Sequence, residues 1–300
     1  MASSLANKVV LITGAARGIG AETARQVAKR GARVSLVGRE PRLLAEVAAE
    51  LGPGHVWYEA DVTDQAALDR AVAATVAALG GIDVVFANAG IASNGTVAVT
   101  PVDALVRTIE VNLIGVVRTI SATLPHVTAR SGYYLLMSSA SALAPLPAMA
   151  PYSASKIAVE QFGSALRLEV AHKGVDVGVA HPSWIDTDLV RDQQRELSTF
   201  NRTLATLPGP FGRVTPLVEC VDALVDGMER RRRKVYVPRS LAPLAAIRQL
   251  FTSPMAERAA MKTAARMVPR LEAEVQALGR AFGQHSVGLA DVPKPPVKGR

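Results

Sequence analysis

The chain has 300 residues, 49% apolar and 20% charged, an ordinary globular composition long enough for one large α/β domain or two small ones. Cys220 is the only cysteine, which excludes an intrachain disulfide and points to a reducing compartment. The net charge of +8 is uneven: residues 1–229 carry 19 Lys and Arg against 22 Asp and Glu, and residues 230–300 carry 15 against 4, so the basic character belongs to the C-terminal end and no nucleic-acid motif goes with it.

Met1 to Asn7 lacks the basic-then-apolar pattern of a secretory leader, and no uninterrupted apolar run reaches the ~18 residues of a membrane span, so a soluble, cytoplasmic chain is expected. Lys8 to Ile12 predicts a first strand, followed by the turn Thr13-Gly14-Ala15-Ala16-Arg17-Gly18-Ile19-Gly20 and a helix from Ile19 to Arg30. Strands at 33–37, 56–58 and 82–87 then alternate with helices at 41–51 and 64–79. The second half reads as a long helix over 101–129, a strand at 133–138, an apolar loop at 140–151, a helix over 152–172 and a strand at 175–180. Residues 183–213 read as a flexible lid, 216–230 as a helix and 234–237 as a last strand. Strands and helices alternating at this spacing predict βαβ units, hence a parallel sheet with helices on both faces.

Gly14, Gly18 and Gly20 sit where the first strand turns into a helix, a turn that lets backbone approach a pyrophosphate at a helix N-terminus. An acidic residue at the end of the second strand would hold the ribose 2′-hydroxyl of NAD. Here Gly38 and Arg39 stand there instead, and Arg17 lies inside the glycine turn, so NADP is expected over NAD. Glu40 is the opposing signal and is read as a residue favouring the start of the next helix. Tyr152 and Lys156, four apart on a helix, form a phenol–ammonium pair, and an ammonium beside the hydroxyl is expected to lower the tyrosine pKa from its usual ~10.

Taken in order, Thr13-Gly14-x-x-x-Gly18-x-Gly20, Asn88-Ala89-Gly90 and Tyr152-x-x-x-Lys156 resemble the motifs of the short-chain dehydrogenase/reductase family, over about residues 5–240. The resemblance implies a doubly wound (Rossmann) domain on a mostly seven-stranded parallel sheet, a nicotinamide cofactor and a carbonyl or secondary-alcohol substrate. It implies Tyr152 as the acid/base, Lys156 as the residue that lowers its pKa and holds the nicotinamide ribose, and Ser139 as the residue that binds the substrate oxygen, with Ser138 as its fallback. It further implies that Asn112 holds a water in a proton relay, and that Asp61 and Val62 contact the adenine. Gly14, Arg17, Gly18, Ile19, Gly20, Arg39, Asn88, Ala89, Gly90, Pro182 and Thr187 then complete the cofactor site, with Tyr152 and Lys156 at its far end. A homodimer or homotetramer built on the helices at 101–129 and 152–172 is implied in the same way. The chain departs from the family at Ser183, where a glycine is usual, and at the bulky Trp184.

Leu143, Leu146 and Met149, with Phe200, Leu204, Leu207 and Phe211, are the candidate walls of an apolar substrate site. No metal-ligand spacing occurs among the histidines and Cys220. Residues 1–240 are read as one catalytic domain and 241–300 as a basic helical extension with a flexible end at about 286–300. Two apolar stripes mark the extension, Leu241-Leu244-Ile247-Leu250 and Ala264-Val268-Leu271-Val275-Leu278-Phe282, and Pro269 predicts separate helices near 254–267 and 269–283. The expected role is packing on the body or on a second subunit; peripheral contact with an anionic membrane is the alternative. A catalytically idle nucleotide-binding protein on the same fold is the alternative to an enzyme.

Overall fold

Parallel strands buried on both faces need near-continuous apolar runs, and the first, fourth and fifth strands have them. In a computed structural model, which describes residues 4–286 apart from residue 208, every residue of β1 (Val9–Thr13), β4 (Val84–Ala87) and β5 (Tyr133–Met137) is buried. With β2 (Arg33–Gly38), β3 (Val56–Glu59), β6 (Asp176–Pro182) and β9 (Lys234–Val237) they form a seven-stranded sheet in the order β3-β2-β1-β4-β5-β6-β9, parallel throughout. Two short strands, β7 (Trp184–Ile185) and β8 (Val214–Thr215), pair apart from it.

Helices α1 (Gly18–Lys29), α2 (Pro41–Leu51) and α9 (Leu217–Glu229) cover one face through Val27, Leu44, Val47, Leu224 and Met228. The other face carries α3 (Gln65–Leu79), α4 (Val102–Ile109), α5 (Gly115–Ala129) and α6 (Ala150–Val170), whose Leu68, Val72, Ile120, Val159 and Leu166 fill the second core layer. Strand order reverses between β1 and β4, so a crevice opens beyond their C-terminal ends, where ligands bind in sheets of this kind.

Three segments differ from the sequence expectation. The helix over 101–129 is continuous but contains a π-helical turn at Glu110–Ile114, which carries Asn112. Residues 183–213 are not a featureless lid: they hold β7, α7 (Asp188–Glu196) and α8 (Ser198–Thr206), fixed by partners that lie far along the chain. Beyond α10 (Leu241–Ala246), a single helix α11 (Pro254–Leu278) runs straight through Pro269. Pro269 is exposed, so water can take the carbonyl that its missing N–H leaves free, while Leu271 and Val275 just past it are anchored in the body. The expected flexible end at about 286–300 lies, beyond Ser286, outside the described residues.

Of the second apolar stripe, Leu271 and Val275 of α11 are buried as the spacing implies; Phe282 is also buried, but it lies past the helix end at Leu278 and pairs with Ser93 instead of continuing a helix to 283. Of the first stripe, Leu241 is buried, but Ile247 and Leu250 are exposed.

Candidate active site

The glycine turn is tied to the crevice by Asn88. Its Nδ2 donates to the carbonyls of Thr13 (3.0 Å) and Gly14 (3.2 Å), and Thr13 Oγ1 accepts the Asn88 and Ala89 N–H groups at 3.1 and 3.2 Å. Gly14 takes φ +64°, and a Cβ there would stand 2.8 Å from the Ala89 Cα; a Cβ on Gly20 would stand 2.1 Å from the Gly14 carbonyl oxygen. Helix α1 begins with no side-chain cap and no acidic residue in its first turn, so its N–H groups face the crevice unspent.

A cavity of about 230 Å³ extends from this turn to Tyr152 and Lys156. Gly14, Arg17, Gly18, Ile19, Arg39, Asp61, Val62, Asn88, Ala89, Gly90, Pro182 and Thr187 all line it. Gly20 does not; its part is to let α1 sit against β1. An uncapped helix start, a turn with no room for side chains and buried cations at both ends fit an extended dinucleotide. Ser183 has no positive φ, so a serine fits the backbone where the family usually has glycine.

Several partners at the Asp61 end of this cavity were not readable from the sequence. Arg107 of α4 is 2% exposed and donates to Asp61 Oδ2 and Thr63 Oγ1, both at 2.7 Å. Asp61 is also 3.4 Å from Arg39. Burial would raise the Asp61 pKa, but bonds from Thr63 and Arg107 outweigh it and hold the carboxyl below its ordinary range. Glu40 stands at the N-cap of α2, as the helix-start reading expects, but its side chain makes no cap bond and also pairs with Arg17. Nothing in a sequence distinguishes such an inward arginine from a solvated one.

At the opposite end, α6 brings Tyr152 and Lys156 onto one face beside β5. Lys156 is 2% exposed, and its Nζ donates to the Met137 carbonyl at 2.8 Å. Burial lowers its pKa to about 8. Burial also raises the Tyr152 pKa, against a smaller downward pull from the hydrogen bond with Ser139. The expected lowering by Lys156 is therefore not seen. Its Nζ lies 5.5 Å from the ring centroid, over the face of the ring, and its charge is itself disfavoured by the same burial. Ser139, and not Ser138, adjoins Tyr152; Ser138 Oγ donates to the Lys156 carbonyl at 2.7 Å and holds α6 to the strand end.

Asn112 is fully buried and does not line the cavity. Its side chain accepts from Ile91 N–H (2.8 Å) and donates to the Ile91 carbonyl (2.9 Å) and Ser155 Oγ (3.2 Å). These bonds pin the segment after Gly90 to α6.

Two further cavities meet at Tyr152. One, of about 180 Å³, is lined by Ser139, Leu146, Met149, Leu207, Phe211 and Phe251 among others. The other, of about 60 Å³, is lined by Phe200, Met267 and Leu271 among others. Among the described residues, Tyr152 is the one shared by all three cavities. Of the expected walls, Leu143 and Leu204 are buried behind these surfaces. Trp184 faces both smaller cavities, fixed by an Nε1 bond to the Phe211 carbonyl (2.7 Å) and an edge-on contact with Phe200.

The extension completes this wall. Glu274 of α11 accepts from Ser198, from Thr199 N–H (3.1 Å) and from Thr199 Oγ1 (2.6 Å). Past α11 the chain crosses to the cofactor side, where the His285 N–H donates to Asp192 at 2.9 Å and the His285 carbonyl accepts from Arg17 at 3.0 Å.

A family model for short chain dehydrogenases matches residues 8–198. A glycine betaine reductase of Emericella nidulans is 36% identical over 190 residues, a match covering 62% of this chain and 15% of that protein. An oxidoreductase of Listeria innocua is 31% identical over 207 residues, covering 66% of this chain and 84% of that one. An 11-beta-hydroxysteroid dehydrogenase of Pinus massoniana is 31% identical over 240 residues, covering 77% and 67% respectively. Sheet order, glycine turn and family match agree: the chain belongs to the short-chain dehydrogenase/reductase family of oxidoreductases.

Proposed function

We propose that the protein reduces an apolar ketone, or oxidises the matching secondary alcohol, with NADP(H), using Tyr152 as general acid/base. The observation that carries this is the position of Tyr152, the single described residue facing the cofactor cavity and both smaller cavities. The nicotinamide supplies or receives the hydride. Tyr152 gives its proton to the carbonyl oxygen, and its raised pKa keeps the phenol protonated for that step at neutral pH. Ser139 donates to the same oxygen as charge develops. Lys156 has donors to spare for the ribose hydroxyls, and Asn112 holds the Ile91 segment that shapes the floor. Arg17 and Arg39 support NADP; Glu40, paired with Arg17, weighs against it.

The relative named as a hydroxysteroid dehydrogenase is consistent with an apolar alcohol or ketone. Purified protein, a panel of apolar ketones and secondary alcohols, and the nicotinamide absorbance with NADPH and NADH test the reading. NADPH-dependent turnover of apolar ketones is expected; cofactor binding without turnover across the panel would favour an idle nucleotide-binding protein.

Homo-oligomerisation through α4 to α6 is supported by Val102, Val106, Ile109, Ile114, Ile157 and Leu168, all exposed. A membrane-surface variant of the same enzyme is supported by exposed Ile247, Leu250, Met255 and Met261 on a segment that also bears Arg258 and Lys262. No helix among the described residues is long and apolar enough to cross a membrane. Sedimentation with anionic vesicles distinguishes the two, since an oligomer without membrane contact stays in the supernatant.

A further inference from the structure

The smaller cavity beside Tyr152 is not uniformly apolar. Ser93 and Asn94, 5% and 3% exposed, both line it. Ser93 Oγ and Asn94 Nδ2 are buried, and neither has a hydrogen-bond partner among the described residues. A buried donor without a partner costs about as much as a lost hydrogen bond, so such groups are rare unless something fills the space beside them.

The surroundings hold both groups in place. Asn94 Oδ1 accepts from Gln193 Nε2 at 3.2 Å, which leaves Nδ2 as the spare donor. The Asn94 N–H donates to the Ala281 carbonyl at 2.6 Å, and Ser93 pairs antiparallel with Phe282. Met267 and Leu271 of α11 close the far wall. The C-terminal extension thus builds this corner from outside the residues matched by the family model.

We infer that the 60 Å³ cavity is a hydrogen-bonding subsite for a second, uncharged oxygen function on the substrate. The substrate is then an unsymmetrical ketone or secondary alcohol. Its large apolar arm fills the 180 Å³ cavity, and its short arm carries a hydroxyl or carbonyl oxygen that accepts from Asn94 Nδ2 and meets Ser93 Oγ. A hydroxyl on the short arm reproduces the bonds of any water it displaces, whereas an alkyl group of the same size strands both side chains. Among the described residues no charged side chain lines this wall, which fits a neutral group and not a carboxylate or ammonium. This inference rests on the reading of Tyr152 as the reacting centre.

The test uses isosteric pairs in binding, so it does not depend on turnover. The pairs are 1-hydroxy-4-phenyl-2-butanone against 1-phenyl-3-pentanone, and the longer 1-hydroxy-5-phenyl-3-pentanone against 1-phenyl-3-hexanone. Trp184 faces both cavities, so its fluorescence reports occupancy in the full chain. The hydroxylated member of at least one pair is expected to bind roughly tenfold more tightly, the value of one well-placed hydrogen bond. Asn94→Leu is expected to bring that ratio to about one. Ser93→Ala, a smaller change that stands in if Asn94→Leu fails to fold, is expected to reduce it. Equal affinities within both pairs, an unchanged ratio in the variants, or no binding of any of the four overturns the subsite. NADPH oxidation with the same compounds judges the reductase reading separately, since turnover with equal affinities would sink the subsite and leave the oxidoreductase standing.

Discussion

Lys156 Nζ stands 5.5 Å from the ring centroid of Tyr152, over its face, and donates to the Met137 carbonyl at 2.8 Å. The ammonium is thus buried against a neutral carbonyl and a π-face. Its pKa of about 8, against an ordinary 10.5, measures how strongly the fold disfavours the charge.

Lys156→Met therefore separates stability from function. A lysine whose folded pKa is lowered costs stability at pH values below about 8, and the cost fades as pH rises towards 10.5. We expect the variant to lose turnover by about 10²-fold or more. At pH 7 the variant should be more stable than the parent by about 1–2 kcal/mol, with the gap closing at alkaline pH. Differential scanning calorimetry across pH 6–10 measures this; a variant less stable at pH 7 contradicts the burial cost.

Glu40 is expected to temper cofactor choice. Its carboxylate pairs with Arg17, which lines the cofactor cavity from inside the glycine turn. Glu40→Gln frees the guanidinium for a phosphate and removes a like charge from its neighbourhood. We expect the NADPH-to-NADH affinity ratio to rise about tenfold, in line with one charge-assisted hydrogen bond. Arg17→Ala should lower the same ratio. Titrations with both nucleotides decide it, and a ratio unmoved by either change would remove Arg17 from the 2′-phosphate reading.

Glu160, one helical turn beyond Lys156, sits in a cluster with His181 (3.4 Å), Lys234 and Arg248 (2.8 Å). Burial would raise its pKa, but His181 and Lys234 outweigh burial and hold it at about 2, below the ordinary 4.5. A depressed carboxylate stabilises the fold above the unfolded value, and that contribution disappears as pH falls from about 4.5 towards 2. Glu160→Gln should cost about 3 kcal/mol at pH 7, as expected for breaking a buried pair. The difference between variant and parent should shrink below pH 4.5. Urea unfolding at pH 7, 5 and 3 reports this; a constant difference across those pH values would contradict the assignment.

Much of this site was legible in the sequence because it is built from short, ordered motifs on regular elements. Gly14, Gly18 and Asn88 flank a strand end, and Tyr152 and Lys156 share a helix face, so local spacing already fixes their relation. What the sequence hid depends on contacts across long stretches of chain. Arg107 carries no local sign of its burial; only the packing of α4 turns it towards Asp61. Glu40 reads as a helix start alone until Arg17 is brought to it. Pro269 predicts a break, because its penalty is visible locally while the anchoring of Leu271 and Val275 is not. The π-helical turn at Asn112 likewise leaves no mark on the apolar periodicity.

Met267 reports on the extension's share in the proposed substrate site, since it lines the smaller cavity from α11 and accepts from Thr203 Oγ1 at 2.8 Å. Met267→Ala enlarges that cavity from outside the family-matched residues. We expect kcat/KM to rise several-fold for ketones with a bulkier short arm, at a stability cost of about 2 kcal/mol. Specificity profiles identical to those of the parent would mean that the extension is packing only.

Tyr152 is proposed to deliver the proton at the meeting point of the three cavities. Tyr152→Phe keeps the ring against Lys156 and removes only the hydroxyl. Steady-state reduction of an apolar ketone with NADPH, run beside an NADPH titration of the same variant, measures the claim most directly. With Tyr152 as proton donor, kcat falls by about 10³-fold with NADPH affinity unchanged; turnover at the parental rate would show that the proton comes from elsewhere.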